Sequence, residues 1–229
     1  MKDFSNKEAL SYGWDLFKKN KKVLILSTLI FCIFNSGMEN DVYPEGSWVA
    51  ALAISAIFII VGILIQIGWY KILLKLMSGH SVRVKELFLH GRLFWKYLGA
   101  LVIFIIVLSL PLAGLVLALV LVGFSNPVII AGGIAVGVLS MVLSIYLGIR
   151  YQFALVLIVD KEIGIKEAFK TSSSMTEGVK WKLLGLLMAI GIINIIGVMA
   201  LLVGTLVALP VTTLAYLSIY KKLYHAKSA

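Results

Sequence analysis

Few side chains in this sequence are of types that do chemistry: three histidines (His80, His90 and His225), one cysteine (Cys32) and a loose acidic group, Asp160, Glu162 and Glu167. The histidines fall in three separate segments, and none forms the H-E-x-x-H spacing that sets two imidazoles on one helical face for zinc. A lone cysteine allows neither an intrachain disulfide nor a thiolate metal site. The acidic group could hold a cation, but Lys161 and Lys166 are interleaved with it, and a solvated, charge-balanced face is the simpler reading. No nucleophile elbow, phosphate-cradling loop or dinucleotide fingerprint occurs. The sequence therefore predicts no enzymatic role, no metal and no cofactor.

The elements that would have to position a site are apolar. With 61% hydrophobic and 14% charged residues and a mean hydropathy of +1.02, the chain is far more apolar than a soluble domain. Apolar runs long enough to cross roughly 30 Å of hydrocarbon recur, and the alternating strands of a barrel are missing. The predicted fold class is all-α: a polytopic transmembrane bundle of about six spans, at 23–36, 48–70, 98–122, 128–147 and two within 183–220, joined by a tight turn near 197–205.

The first of these reaches only about 21 Å at 1.5 Å per residue, so Lys21 and Lys22 are expected to snorkel. No small-residue pattern closes it, and it is read as a retained helix. Pro111 is expected to kink the third span. In the fourth, Gly133 and Gly137, then Ser140, Ser144 and Gly148, fall four apart, which lets a neighbouring backbone come close. Arg150 at mid-membrane would cost about 2.5–3.5 kcal/mol. That span is therefore expected to end near 146–150, with 153–159 packed near the inner surface. The loops at 37–47, acidic through Glu39, Asp41 and Glu45, and at 123–127 fall on the opposite side.

Inside the proposed spans no Asp, Glu, Lys, Arg or His occurs, which weakens proton- or ion-coupled transport. Gln66 and Asn194 are the strongest polar groups there. Bonding across helices is the default for each; the sharper alternative has them lining a cavity for a polar lipid head.

Lys7-Glu8-Ala9-Leu10, Lys85-Glu86-Leu87-Phe88 and Lys166-Glu167-Ala168-Phe169 echo one another. Each is followed by a small residue (Gly13, Gly91, Ser172), a basic or aromatic cluster and an apolar run. A single integral membrane domain of three pseudo-repeats, about 1–77, 78–160 and 161–229, fits this plan, each an amphipathic collar and a hairpin. In the first collar Ser5 and Glu8 form a capping box, and Ala9, Leu10, Trp14 and Phe17 share a face. A helix lying in the membrane interface is predicted, with packing on cytosolic loops as the alternative. Val84, Leu87 and Phe88 share a face in the second.

Arg150-Tyr151, Asp160, Glu167-Ala168-Phe169, Ser172, Gly178 and a hairpin with Pro210 ending at Tyr220 give 150–220 a likeness. This stretch resembles six-helix bacterial membrane proteins related to the membrane domain attached to some glycerophosphodiester phosphodiesterases. The resemblance implies a helical bundle of the bacterial inner membrane without an established activity. The phosphodiesterase's catalytic barrel has no counterpart here, so its reaction is not implied.

Charge sets orientation. Six basic residues lie in 1–22, six in 71–97, six in 150–182 and three after Tyr220, which is all 21. Cytoplasmic loops carry such an excess, so both termini are predicted inside. The net charge of +10 is then a set of membrane flanks and does not point to nucleic acid. The expected function is a non-enzymatic membrane module. Its collars, through Lys18, Lys19, Arg83, Lys85, Arg150, Lys166, Lys170 and Lys180, would contact anionic lipid at the cytoplasmic face, a protein partner or a second copy. The alternative is a translocator of a lipid or other amphiphile, flexing at Pro111, Pro210 and the glycine-rich fourth span.

Overall fold

The computed structural model describes residues 4–35, 48–123 and 126–228, and among these it is all-helical with no strand. In chain order the α-helices are α1 Asn6–Asn35, α2 Trp48–Met77, α3 Phe94–Val122, α4 Pro127–Tyr151, α5 Ala154–Lys161, α6 Ile165–Thr176, α7 Lys180–Met199 and α8 Leu201–Ser228. Two short 3-10 turns, Val84–Phe88 and Gly91–Leu93, separate α2 from α3. The expected acidic loop at 37–47 lies outside the described residues, as do two positions of the turn at 123–127.

Among the described residues four helical runs are long and apolar enough to cross a membrane: Trp48–Met77, Val84–Leu121, Pro127–Lys161 and Lys180–Met199. Large apolar side chains such as Leu110, Val128, Leu139 and Met199 stand exposed along them. An apolar surface of that extent is incompatible with water and suits hydrocarbon, where each helix satisfies its own backbone. The chain is a helical membrane protein.

The buried residues gather at one end of the bundle. They come from 63–76 of α2, from α5, from 208–223 of α8 and from the apolar face of α1. Phe153, Ala154, Leu157, Ile158 and Val159 have no exposed surface, so the stretch after Arg150 packs into the core. α4 ends at Tyr151 because side chains of α6 take over its terminal groups. Ser172 Oγ donates to the Arg150 carbonyl at 3.0 Å and accepts from the Phe153 N–H at 3.2 Å; Thr176 reaches the same carbonyl at 3.3 Å. These bonds replace the intrahelical partners that a helix end lacks.

At the other end the hairpins stand apart from this core. Of the small residues on α4, Gly137 and Ser140 admit α3 closely, while Gly148 meets no neighbour within 4 Å. A Cβ on Gly114 of α3 would meet Ser140 Oγ at 2.3 Å, and one on Gly137 would meet the Ala118 Cβ at 3.2 Å. Asn126 caps α4 by accepting from the Val128 N–H at 2.9 Å, with Pro127 in the first turn. α7 and α8 turn at Ala200, inside the stretch assigned to that turn, and approach closely where Gly197 faces Gly204. α3 and α8 each continue as one helix with Pro111 and Pro210 inside.

Several expectations need correction. The first collar and the first span are two helical segments joined at a kink at Asn20 (φ −123, ψ 25), close to the expected start of the span at 23, but the face the collar buries differs from the expected one. Its buried face is Ala9, Gly13 and Phe17; Trp14 points outward at 46% exposure. Gly13 explains the shift, because a Cβ there would lie 2.4 Å from the Val211 carbonyl oxygen. The helix is thus rotated to bring Gly13, not Trp14, onto α8. The second collar is not an α-helix: its Leu87 is buried against Gly68 of α2 while Phe88 faces outward. A Cβ on Gly68 would lie 2.0 Å from the Leu87 carbonyl oxygen, so only glycine admits this turn so close to α2.

Candidate functional site

The polar groups concentrate on the core end. Glu162 follows α5 in the left-handed region (φ 57), which turns the chain and aims its carboxylate back at α2. Lys71 donates to it at 3.0 Å, Arg92 donates to its other oxygen, and Lys96 reaches its backbone carbonyl at 3.1 Å. The Lys71 hydrogen bond, with the Arg92 charge beside it, holds the Glu162 carboxyl below the ordinary carboxylate range. Asp160 accepts from the Tyr220 hydroxyl at 2.8 Å and pairs with Lys161 at 3.2 Å. Lys161 also sits 4.6 Å from the Tyr224 ring centroid. The acidic group is thus engaged by basic and phenolic neighbours, several of them remote in sequence, while Glu167 is exposed. Among the described residues no group of three His, Cys, Asp or Glu is placed to hold a metal ion.

The two intramembrane polar residues each have a partner of their own. Asn194 accepts from Thr212 at 3.2 Å across α7 and α8. Gln66 lies beside the Tyr70 hydroxyl, one turn along α2. The structure does not bring them to each other.

Of the basic residues singled out by sequence, Lys19, Arg83, Lys85, Lys166 and Lys170 are exposed. Lys18 is paired with Asp15 at 2.9 Å. Arg150 is partly buried, with Nε donating to Ser173 Oγ at 2.7 Å and a terminal nitrogen to the Tyr146 hydroxyl at 3.5 Å. Lys180 donates to that same hydroxyl at 3.1 Å and lies 4.2 Å from the Tyr146 ring centroid. One neutral phenol oxygen therefore accepts from two cations, and among the described residues neither cation has an ion-pair partner.

Below them a groove of about 280 Å³ runs between α4 and α7, lined by Val142, Ile145, Tyr146, Ile149, Lys180, Trp181 and Leu184. Its walls are apolar and its mouth is cationic. A second pocket, of about 380 Å³, is bordered by Glu8, Ala9, Tyr12, Met77, Ser218, Lys221 and Lys222. There Lys222 faces Glu8 at 3.5 Å, and Lys221 donates to Ser78 Oγ at 3.0 Å. Burial pulls the Lys221 ammonium below its usual range.

Sequence reasoning found Arg150 and Lys180 but missed Tyr146, Ser173 and Trp181, which shape the same site. Tyr146 stands one helical turn before Arg150 and Trp181 is next to Lys180, and those spacings were the available signal. No family model, curated protein or solved structure matches this chain.

Proposed function

We propose that this chain is a non-enzymatic module of a bacterial inner membrane whose basic end holds anionic lipid. The carrying observation is that Lys19, Lys85, Lys166 and Lys170 are exposed, and among the described residues none meets a carboxylate, at the core end of a bundle whose other end is bare hydrocarbon surface. Each such cation gains on the order of 1 kcal/mol beside an anionic leaflet. The helices already anchor the chain, so those charges recruit lipid and fix orientation.

In this reading six helices cross, with both termini on the cytoplasmic side. Beyond the four apolar runs, that topology needs α1 past Asn20 and α8 before Lys221 to cross together. The α1–α8 contact bears on it directly. Gly13 packs on Val211, which lies roughly 15 Å along α8 from Lys221 at 1.5 Å per residue. The tilt of this pair sets the side on which Lys18 to Lys22 emerge. Translocation of an amphiphile is the weaker reading, since Gln66 and Asn194 are each engaged by a neighbouring side chain.

The test is native mass spectrometry of the purified chain with its retained lipids. The wild type carries phosphatidylglycerol and cardiolipin in excess over phosphatidylethanolamine, and the quadruple variant K19Q/K85Q/K166Q/K170Q loses that excess. An unchanged excess overturns the proposal.

A further inference from the structure

We infer that the α4–α7 groove is a specific site for one anionic glycerophospholipid, its phosphate held by Lys180 and Arg150 at the mouth and one acyl chain lying between the helices. This inference rests on the lipid-binding reading above and assigns it one address. Three observations carry it.

First, positive charge gathers at the mouth: Lys180 lines the groove and Arg150 stands just outside its lining. Arg150 and Lys180 both donate to the Tyr146 hydroxyl, at 3.5 and 3.1 Å, so their charged nitrogens lie no further apart than the sum of those two distances. Two like charges this close repel unless an anion sits between them. A phenol oxygen accepts hydrogen bonds but carries no charge to offset theirs. A phosphate diester has both the charge and the spare acceptor oxygens, and Arg150 presents a planar fork suited to it. Ser173 Oγ, 2.7 Å from Arg150 Nε, fixes that fork from behind.

Second, the volume below the mouth suits a hydrocarbon chain. At about 280 Å³ the groove sits at the low end of small-molecule sites. Val142, Ile145, Ile149 and Leu184 make its walls, and Trp181, 86% exposed, stands at its edge. An exposed indole beside a lysine is the pairing found at membrane–water interfaces.

Third, the competing pocket has a smaller excess of positive charge, because Glu8 stands against Lys222 and leaves Lys221 as its one cation without a carboxylate. Selectivity at the α4–α7 groove comes from the headgroup. An acyl chain leaving the bilayer for the groove exchanges one hydrocarbon surface for another and gains little, so the walls set register while the two cations set preference.

The probe is nanodiscs of mixed phosphatidylglycerol and phosphatidylethanolamine, read by native mass spectrometry of the released protein. The wild type retains one phosphatidylglycerol through activation that strips the others. I145W, which fills the groove, abolishes that last molecule. K180Q lowers its occupancy about fivefold, the factor set by about 1 kcal/mol per near-surface cation. Retention of that molecule at the wild-type level in either variant overturns the site. Equal loss of both phospholipids in K180Q overturns the headgroup assignment. The quadruple collar variant keeps the last molecule while losing the bulk excess, which separates failure of this site from failure of the broader reading.

A second measurement does not depend on how those variants fold. Brominated-chain phosphatidylglycerol quenches the part of the tryptophan emission that W181F removes, and does so more than brominated phosphatidylethanolamine. Equal quenching by the two overturns the proposal.

Discussion

Gly13 of α1 sits directly on the Val211 carbonyl of α8: a Cβ there would come within 2.4 Å of that oxygen and 3.1 Å of the Ala215 nitrogen. Both obstacles are backbone, so no side-chain adjustment relieves the clash. Gly13→Ala is expected to push the two helices apart and lower stability by about 1–3 kcal/mol, the usual range for overpacking. Thermal unfolding in detergent, followed by circular dichroism, measures this. Lys19→Ala on the exposed face of the same helix should stay within about 0.5 kcal/mol of wild type.

Ser172 serves both ends of the break between α4 and α5, donating to the Arg150 carbonyl and accepting from the Phe153 N–H. Thr176 also reaches the carbonyl, but no second acceptor is seen for the N–H among the described residues. Ser172→Ala should therefore cost about 1–3 kcal/mol, the penalty for an orphaned buried donor. Hydrogen exchange at Phe153 should accelerate correspondingly, while exchange in the α3–α4 hairpin stays as it was.

Glu162 gives the fold a pH dependence of known sign. Its carboxyl is held low by Lys71 and Arg92 in the folded state, so its contribution is fully present above the unfolded carboxylate value of about 4.3. That contribution is lost as pH falls through the lower folded value. The difference in melting temperature between wild type and Glu162→Gln should be constant from neutral pH down to about 5 and shrink below that. A difference that grew on acidification would show that the carboxylate is not ion-paired.

Topology is read by single cysteines in a Cys32→Ala background, labelled with a membrane-impermeant maleimide in spheroplasts. Cysteines replacing Lys22, Lys85, Lys166 and Lys227 should be protected until the membrane is opened, and one replacing Glu45 should react at once. Labelling at Lys22 alone would mean that α1 emerges on the other side, leaving the remaining collars where they are.

The apolar runs were legible in the sequence because hydrocarbon length is a one-dimensional property. The end of α4 at Tyr151 was legible too, one residue past the charge at Arg150. The small residues of α4 announced a close neighbour, although not which one. What escaped depended on contacts between distant positions. Trp14 looked as apolar-facing as Ala9 until Gly13 met a backbone carbonyl about two hundred residues away. Glu162 looked like one of three similar acids, yet its left-handed backbone aims it at Lys71 and Arg92. The second collar shares its motif with the first but runs as 3-10 turns, because Gly68 lets Leu87 press against α2.

Among the described residues, the α3–α4 hairpin buries side chains against the rest of the molecule mainly near its base. Leu93 just before α3, Tyr97 and Ala100 on α3 and Ile149 on α4 are buried there, whereas farther out the close contacts are between the two helices themselves, at Gly114 with Ser140 and Ala118 with Gly137. A rod pair pinned at one end behaves as a lever. Beyond that base its placement rests on its own helix–helix contacts and on the surrounding hydrocarbon, so a change there leaves the buried core untouched.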